Sequence, residues 1–304
     1  MFLQKINTLT IVGMGLIGGS LAIDLRKRGF AARILGVDNN PQYAKTALEL
    51  GLADEIMALP EAVAAADLVL LAVPVNAALR LLPLLLEYLP PHATVADMGS
   101  TKQAIVEVAE QHAKRAQFVA THPMAGTEFS GPAAAVGNLF DGKVAIICNS
   151  TDSRPESASL IEQMYGILQM PLVYMDAGEH DIHAAYVSHI SHISSFVLAN
   201  TVLEKERSVS AIFDLASGGF ASTVRLAKSS PVMWSQVFDQ NSQNVLEVLD
   251  TYIANLLEWR KLIAKGEFDT LEKLMGQANT IRKILDIPPI ERLKKNEMTL
   301  VKEQ

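Results

Sequence analysis

Cysteine occurs once in 304 residues, at Cys148, so no disulfide can form within the chain. Long apolar runs are absent too. The nearest approach to the ~20 residues a membrane-spanning helix needs is "LVLLAVPV", which is strand-length and carries Pro74. Basic clusters are equally scarce: "RKR" at 26–28 is the longest, and the net charge is −7. That balance sets the electrostatics against a nucleic-acid partner. The opening "MFLQKINTLTIVGMG" has neither the charged-then-apolar layout nor the cleavage site of a secretory signal. Together these absences lead to the expectation of a soluble, cytoplasmic globular protein. They also mean that an anionic substrate must be met by local cations, because the overall field repels it.

What is present is enough hydrophobic material, 49% of residues, for two modest domains with real cores. Up to about residue 176, short apolar, β-branched runs alternate with helix-period segments. "LTIV", "RILGV", "LVLLAV", "TVAD", "QFVA", "VAIIC" and "PLVYM" read as strands buried on both faces, and "PQYAKTALEL", "KQAIVEVAEQH" and "PESASLIEQMYGIL" read as helices. This is the grammar of an α/β, doubly wound, mostly parallel sheet over residues 1–176. From 177 to 304 the strand signals stop and the pattern is helical throughout. In "VLEVLDTYIANLLEWRKLI", Val245, Leu249, Tyr252, Leu256 and Ile263 follow a seam close to 3.5 residues, and Leu246, Ile253 and Leu257 widen it. A stripe that broad suits either a monomeric core or a helix shared with a second subunit.

The first strand runs into "GMGLIGGS", which places Gly13, Gly15 and Gly18 in G-x-G-x-x-G spacing, with Leu16 and Ile17 between them. At a strand-to-helix turn, glycines allow the sharp bend, the approach of a pyrophosphate to backbone N–H groups, and close packing of helix on strand. A second strand then leads to Asp38, twenty residues beyond Gly18, where a carboxylate accepts ribose hydroxyls and repels a 2′-phosphate. A Rossmann-like NAD site is the expectation; a turn or cap before "NNPQYAK" is the other use for Asp38. Val73 and Pro74, ending the next long strand, line the same edge.

Two further strands end in polar residues: "ADMGSTK" offers Ser100, Thr101 and Lys102, and "ATHPMAGTE" offers His122, Thr127 and Glu128. A histidine held there by Pro123 and glycine-permitted turns is placed to hydrogen-bond a substrate hydroxyl as hydride leaves the carbon bearing it. Ser100 either serves that site or caps the following helix. Lys102 and Lys228 read first as solvated surface, and Trp234 as a packing anchor.

"GMGLIGGS", "DMGSTK", "THPMAGTEFSG", "SHISH" and "STVRLAKSSPVMW" follow the order and approximate spacing found in prephenate dehydrogenases, which the chain resembles over nearly its whole length. That resemblance implies NAD-dependent oxidative decarboxylation of prephenate to 4-hydroxyphenylpyruvate in tyrosine biosynthesis, or of arogenate to tyrosine. It also implies a dinucleotide-binding domain followed by an all-helical dimerisation domain, hence a homodimer. The family's catalytic histidine falls on His122, its serine on Ser100 and its carboxylate-binding arginine on Arg225. Thr127, His189 and His192 are the further candidates for substrate contacts, and no metal is called for. Other readings carry less. His180, His183, His189 and His192 form two H-x-x-H pairs that suit a metal, but that use leaves the glycine motif without a purpose. A β-hydroxy acid dehydrogenase and a non-catalytic NAD sensor remain as alternatives.

Overall fold

Parallel strands buried on both faces must alternate with helices that cover them, and residues 6–175 do so. The computed structural model describes residues 5–208, 211–288 and 291–292. The order is β1 (Ile6–Val12), α1 (Leu16–Lys27), β2 (Ala31–Val37), α2 (Pro41–Glu49), β3 (Glu55–Ile56), α3 (Leu59–Ala64), β4 (Leu68–Leu71), α4 (Val75–Tyr88), β5 (Thr94–Asp97), α5 (Gln103–Glu110), β6 (Phe118–Pro123), β7 (Ala145–Cys148), α6 (Pro155–Ile167) and β8 (Leu172–Met175). The sheet order is β3-β2-β1-β4-β5-β6-β7-β8. Pairing is parallel except between β6 and β7, where His122 stands opposite Ile146. Strand β3, two residues long, has no counterpart among the sequence-based strands because so short an edge has no periodicity to read.

Alternation along the strands divides the core into two layers. Leu9 and Ile11 of β1 face the layer that holds Leu21 and Leu25 of α1 and Tyr165 of α6. Val69 and Leu71 of β4 face Leu82 and Leu86 of α4 and Ile105 of α5. Phe118 and Ala120 share that second layer, so His122, two residues on, carries the same parity. The one cysteine, Cys148, is buried at the end of β7. Because strand order reverses between β1 and β4, the carboxyl ends of β1, β2, β4, β5 and β6 open on one crevice.

The chain then turns helical: α7 (Ala177–Ala184), one π-type turn (Ala185–His189), α8 (Ile190–Glu206), α9 (Gly218–Thr223) and α10 (Pro231–Gln240). By compactness these helices belong with the sheet, in a unit that ends at Asn241. The second unit, Ser242–Gln304, contains α11 (Ser242–Lys265), α12 (Phe268–Ala278) and α13 (Arg282–Leu285). Along α11, Val245, Val248 and Leu262 are buried, whereas Leu246, Ile253, Leu256, Leu257 and Ile263 are exposed. Among the described residues no helix is long and apolar enough to cross a membrane.

Candidate functional site

The glycine turn meets each requirement of a dinucleotide cradle separately. Gly13 has φ +96°, and a Cβ there would stand 2.4 Å from the Ala72 carbonyl oxygen. A Cβ on Gly18 would stand 2.0 Å from the Gly13 oxygen, so α1 can approach β1 only with glycine there. Gly15 differs: nothing lies within 4 Å of its missing Cβ. That open space lies at the N-terminus of α1, whose Gly15 N-cap makes no side-chain hydrogen bond. A pyrophosphate fits there, on the positive end of the helix. Leu16 is buried and Ile17 half-buried behind the turn, while Val73 and Pro74 lead from β4 into α4.

Asp38 follows β2 and accepts from Met14 N at 2.9 Å and Asn40 N at 2.8 Å. The cap of α2 is Asn40, which accepts from Gln42 N and Tyr43 N. Asp38 therefore braces the glycine loop instead of capping the helix, and its half-buried carboxylate keeps lone-pair capacity for a further donor.

His122 occupies the last rungs of β6, not a turn: the ladder with β7 fixes its backbone, and its side chain is buried. Its Nδ1 lies 2.8 Å from Nε2 of His180, and Nδ1 of His180 lies 2.7 Å from Oδ1 of Asp181. Asp181 also takes the backbone N–H of Lys102 at 2.8 Å and of Gln103 at 3.0 Å. Those are orphan donors of the first turn of α5, whose N-cap is Lys102 and which has no side-chain cap of its own. Ser100, half-buried, is therefore not the cap of that helix. Next to it, Thr101 donates to Gln240 of α10 at 2.6 Å.

Lys102 corrects the sequence reading. Its ammonium is fully buried and ion-paired with buried Asp97, whose other oxygen accepts Thr121 N at 3.1 Å. A cation this deep, one residue from Thr101 and close enough to repel protons from His122 and His180, supplies fixed positive field inside the site. Burial, reinforced by His180, Lys102 and His189, holds His122 well below the ordinary histidine range. His180 is also lowered, chiefly by burial, against the opposing pull of Asp181.

His189 and His192 bracket Trp234. The His189 ring meets the indole edge-on at 5.8 Å, and the His192 ring stacks on it at 3.4 Å. Asn241 donates to His189 Nδ1 at 3.1 Å and to the Asp181 carbonyl at 2.7 Å, which leaves the His189 proton on Nε2. Burial lowers His189 to about 4. His192 Nδ1 donates to the Ser188 carbonyl, freeing its Nε2 as an acceptor. Trp234 packs with Val75 and Val237 as an anchor, yet its buried indole Nε1 has no hydrogen-bond partner among the described residues.

Arg225 stands at the start of a short turn, half-exposed, with Nη1 3.3 Å from Oε2 of Glu128 in the loop that follows His122. Its charge reaches His192. Thr127 is exposed and its hydroxyl accepts from Phe129 N, shaping that loop. The four clustered histidines do not converge: His180 is engaged by His122 and Asp181, and His183 faces solvent 4.0 Å from Glu179. Sequence reading missed His180 and Asp181 as site residues. The only local signal was the adjacent pair in "GEHD", which has no meaning until α7 is packed on α5.

Comparison with known proteins matches two family models to successive parts of the chain. A family model described as "Prephenate dehydrogenase, nucleotide-binding domain" matches residues 21–170, and one described as "Prephenate dehydrogenase, dimerization domain" matches 176–277. The prephenate dehydrogenase of Bacillus subtilis is 32% identical over 285 residues, covering 92% of this chain and 76% of that protein. The cyclohexadienyl dehydrogenase of Zymomonas mobilis is 29% identical, covering 86% of this chain and 90% of its own. Among solved structures, prephenate dehydrogenase from Aquifex aeolicus in complex with hydroxyphenyl propionate and NAD+ superposes with a TM-score of 0.83 at 30% identity, covering 92% of this chain and 99% of that one. Synechocystis arogenate dehydrogenase gives 0.72 at 28% identity, covering 91% and 99%.

Proposed function

The chain belongs to the prephenate dehydrogenase family, and from that premise we propose how its own residues carry out the reaction. It is an NAD-dependent oxidoreductase that converts prephenate to 4-hydroxyphenylpyruvate by oxidative decarboxylation; arogenate is the alternative substrate within the family. Bound NAD supplies the hydride acceptor for the ring carbon bearing the hydroxyl. Loss of that hydride drives loss of CO2 because the ring becomes aromatic, so little covalent work falls to the protein. Its tasks are to orient the ring, to hold two carboxylates and to stabilise the hydroxyl as it becomes carbonyl-like.

The observation that carries the reading is His122: a buried imidazole, kept neutral, at the carboxyl end of β6, on the same sheet edge as the glycine turn after β1. A neutral ring accepts the hydroxyl proton; a protonated one cannot. Ser100, free of capping, is assigned to the same hydroxyl or to the imidazole. Gly13, Gly15, Gly18 and Asp38 hold the cofactor, with Leu16, Ile17, Val73 and Pro74 forming its apolar wall. Arg225 takes a substrate carboxylate through its planar fork, helped by Thr127 and by the His189 and His192 pair around Trp234. Lys102 contributes field from below.

Residues 177–304 are assigned to substrate binding and dimerisation, with the exposed apolar stripe of α11 as the homodimer face. The buried free thiol of Cys148 suits a reducing cytoplasm. The test is NADH formation with prephenate and arogenate in parallel, for the wild-type enzyme and for His122→Asn. Turnover should fall about a hundredfold or more in the variant while NAD still binds. Near-normal turnover removes His122 from the chemistry.

A further inference from the structure

Whether His122 can accept a proton at the crevice depends on which of its two nitrogens already carries one. The geometry points to His180 and Asp181 as positioning residues that lock His122 in the Nδ1–H tautomer, keeping the lone pair on Nε2 for the substrate hydroxyl. This rests on the reading of His122 given above.

The assignment follows from the far end of the hydrogen-bond chain. Asp181 receives two backbone N–H donors from the first turn of α5, at 2.8 Å and 3.0 Å, which fix its carboxylate as an acceptor. The His180 nitrogen 2.7 Å away must therefore donate, and its proton sits on Nδ1. Burial keeps His180 neutral, so its Nε2 carries a lone pair. That lone pair faces His122 Nδ1 at 2.8 Å, and His122 must donate there. One proton remains on each ring, and the only uncommitted lone pair is on His122 Nε2.

The same bonds serve when His122 takes the hydroxyl proton. Its Nδ1–H still donates to His180, the carboxylate of Asp181 stands one ring beyond the new charge, and no proton has to leave Asp181. Two helices are recruited for this, because α7 supplies His180 and Asp181 while α5 supplies the donors that orient the carboxylate. A merely structural trio would tie α7 to β6 with equal effect whichever nitrogen of His122 held the proton.

The direct test is a long-range 1H–15N correlation spectrum of the full-length enzyme labelled with [15N]histidine, near pH 8, with His122 identified by its loss in His122→Asn. A protonated Nδ1 and a bare Nε2 are expected; the reverse tautomer overturns the proposal without any variant of the relay having to fold. Kinetics provide a second arm. His180→Leu should lower kcat on the order of a hundredfold with the prephenate KM held within about threefold. His180→Gln, whose amide can both accept from His122 and donate to Asp181, should recover to within about tenfold of wild type. A folded His180→Leu enzyme with wild-type kcat also overturns the proposal. Near-normal turnover in His122→Asn instead sinks the underlying reading of His122, so the two failures are distinguishable.

Discussion

Arg225 and Glu128 lie 97 residues apart in sequence, yet their side chains meet with Nη1 3.3 Å from Oε2. The cation assigned to the substrate carboxylate is thus held by an anion that the substrate must displace. Arg225→Gln should raise the prephenate KM about tenfold or more while kcat stays within about threefold, measured at saturating NAD. Glu128→Gln should lower KM by about two- to threefold, a modest effect because the pair is partly solvated. An unchanged KM in Arg225→Gln would show that the carboxylates bind elsewhere.

The pH dependence follows from the burial of His122. Its conjugate acid is disfavoured by desolvation and then by His180, Lys102 and His189, so the neutral base persists below the usual histidine range. The acid limb of kcat/KM should therefore lie below pH 6.5, with activity present above it and lost as pH falls through the depressed value. A limb at or above the unperturbed histidine value would contradict this assignment of the base.

Stability should respond to acid in the same direction. For His189, lowered from 6.5 to about 4, the unfolded chain takes up a proton that the folded chain refuses. The unfolded state binds more protons in that window, so stability rises with pH there and is lost as pH falls from about 6.5 towards 4. The full effect is about 3 kcal/mol for this residue. Urea midpoints of wild type and His189→Asn, compared at pH 7.5 and pH 5, should show a smaller acid loss in the variant.

Cofactor choice should track Asp38. Asp38→Asn retains an oxygen for Met14 N but removes the charge that opposes a 2′-phosphate. The KM for NAD should rise about tenfold and the preference over NADP should narrow by a similar factor. An unaltered NAD/NADP ratio would leave Asp38 only its role in bracing the loop.

Assembly should depend on the exposed stripe of α11. Leu256→Glu places a charge among Ile253, Leu257 and Ile263, a face that is apolar and open on one chain. Light scattering should give about 66 kDa for wild type, twice the 33.0 kDa chain, and the monomer mass for the variant. A dimer that survives the charge would move the interface to another surface.

Features that arise from backbone constraint were legible in the sequence. Gly13 and Gly18 stand where a Cβ would collide with carbonyl oxygens of the chain, and such necessities leave a local imprint. Strand positions were legible for the same reason, since burial on both faces demands apolar runs. Strand direction was not: nothing in "VAIIC" says that β7 runs against β6, because composition carries no polarity. Lys102 read as surface because the partner that makes its burial tolerable, Asp97, is an acceptor for Thr121 and Gly99 only once the sheet has formed. His180 had no site role in the sequence, where it stood out only in the H-x-x-H pairs of the set-aside metal reading. Its sequence partner at i+3 is solvent-exposed His183, whereas its hydrogen-bond partner is 58 residues away.

Cys148 offers a consequence of a different kind. Its thiol is shut inside β7, and burial pushes its pKa up to about 12. An alkylating reagent at neutral pH therefore meets a sulfur that is both inaccessible and protonated until the strand detaches. The rate of modification becomes a clock for excursions of β7, at the sheet's antiparallel junction with β6, written into the natural chain without an engineered label.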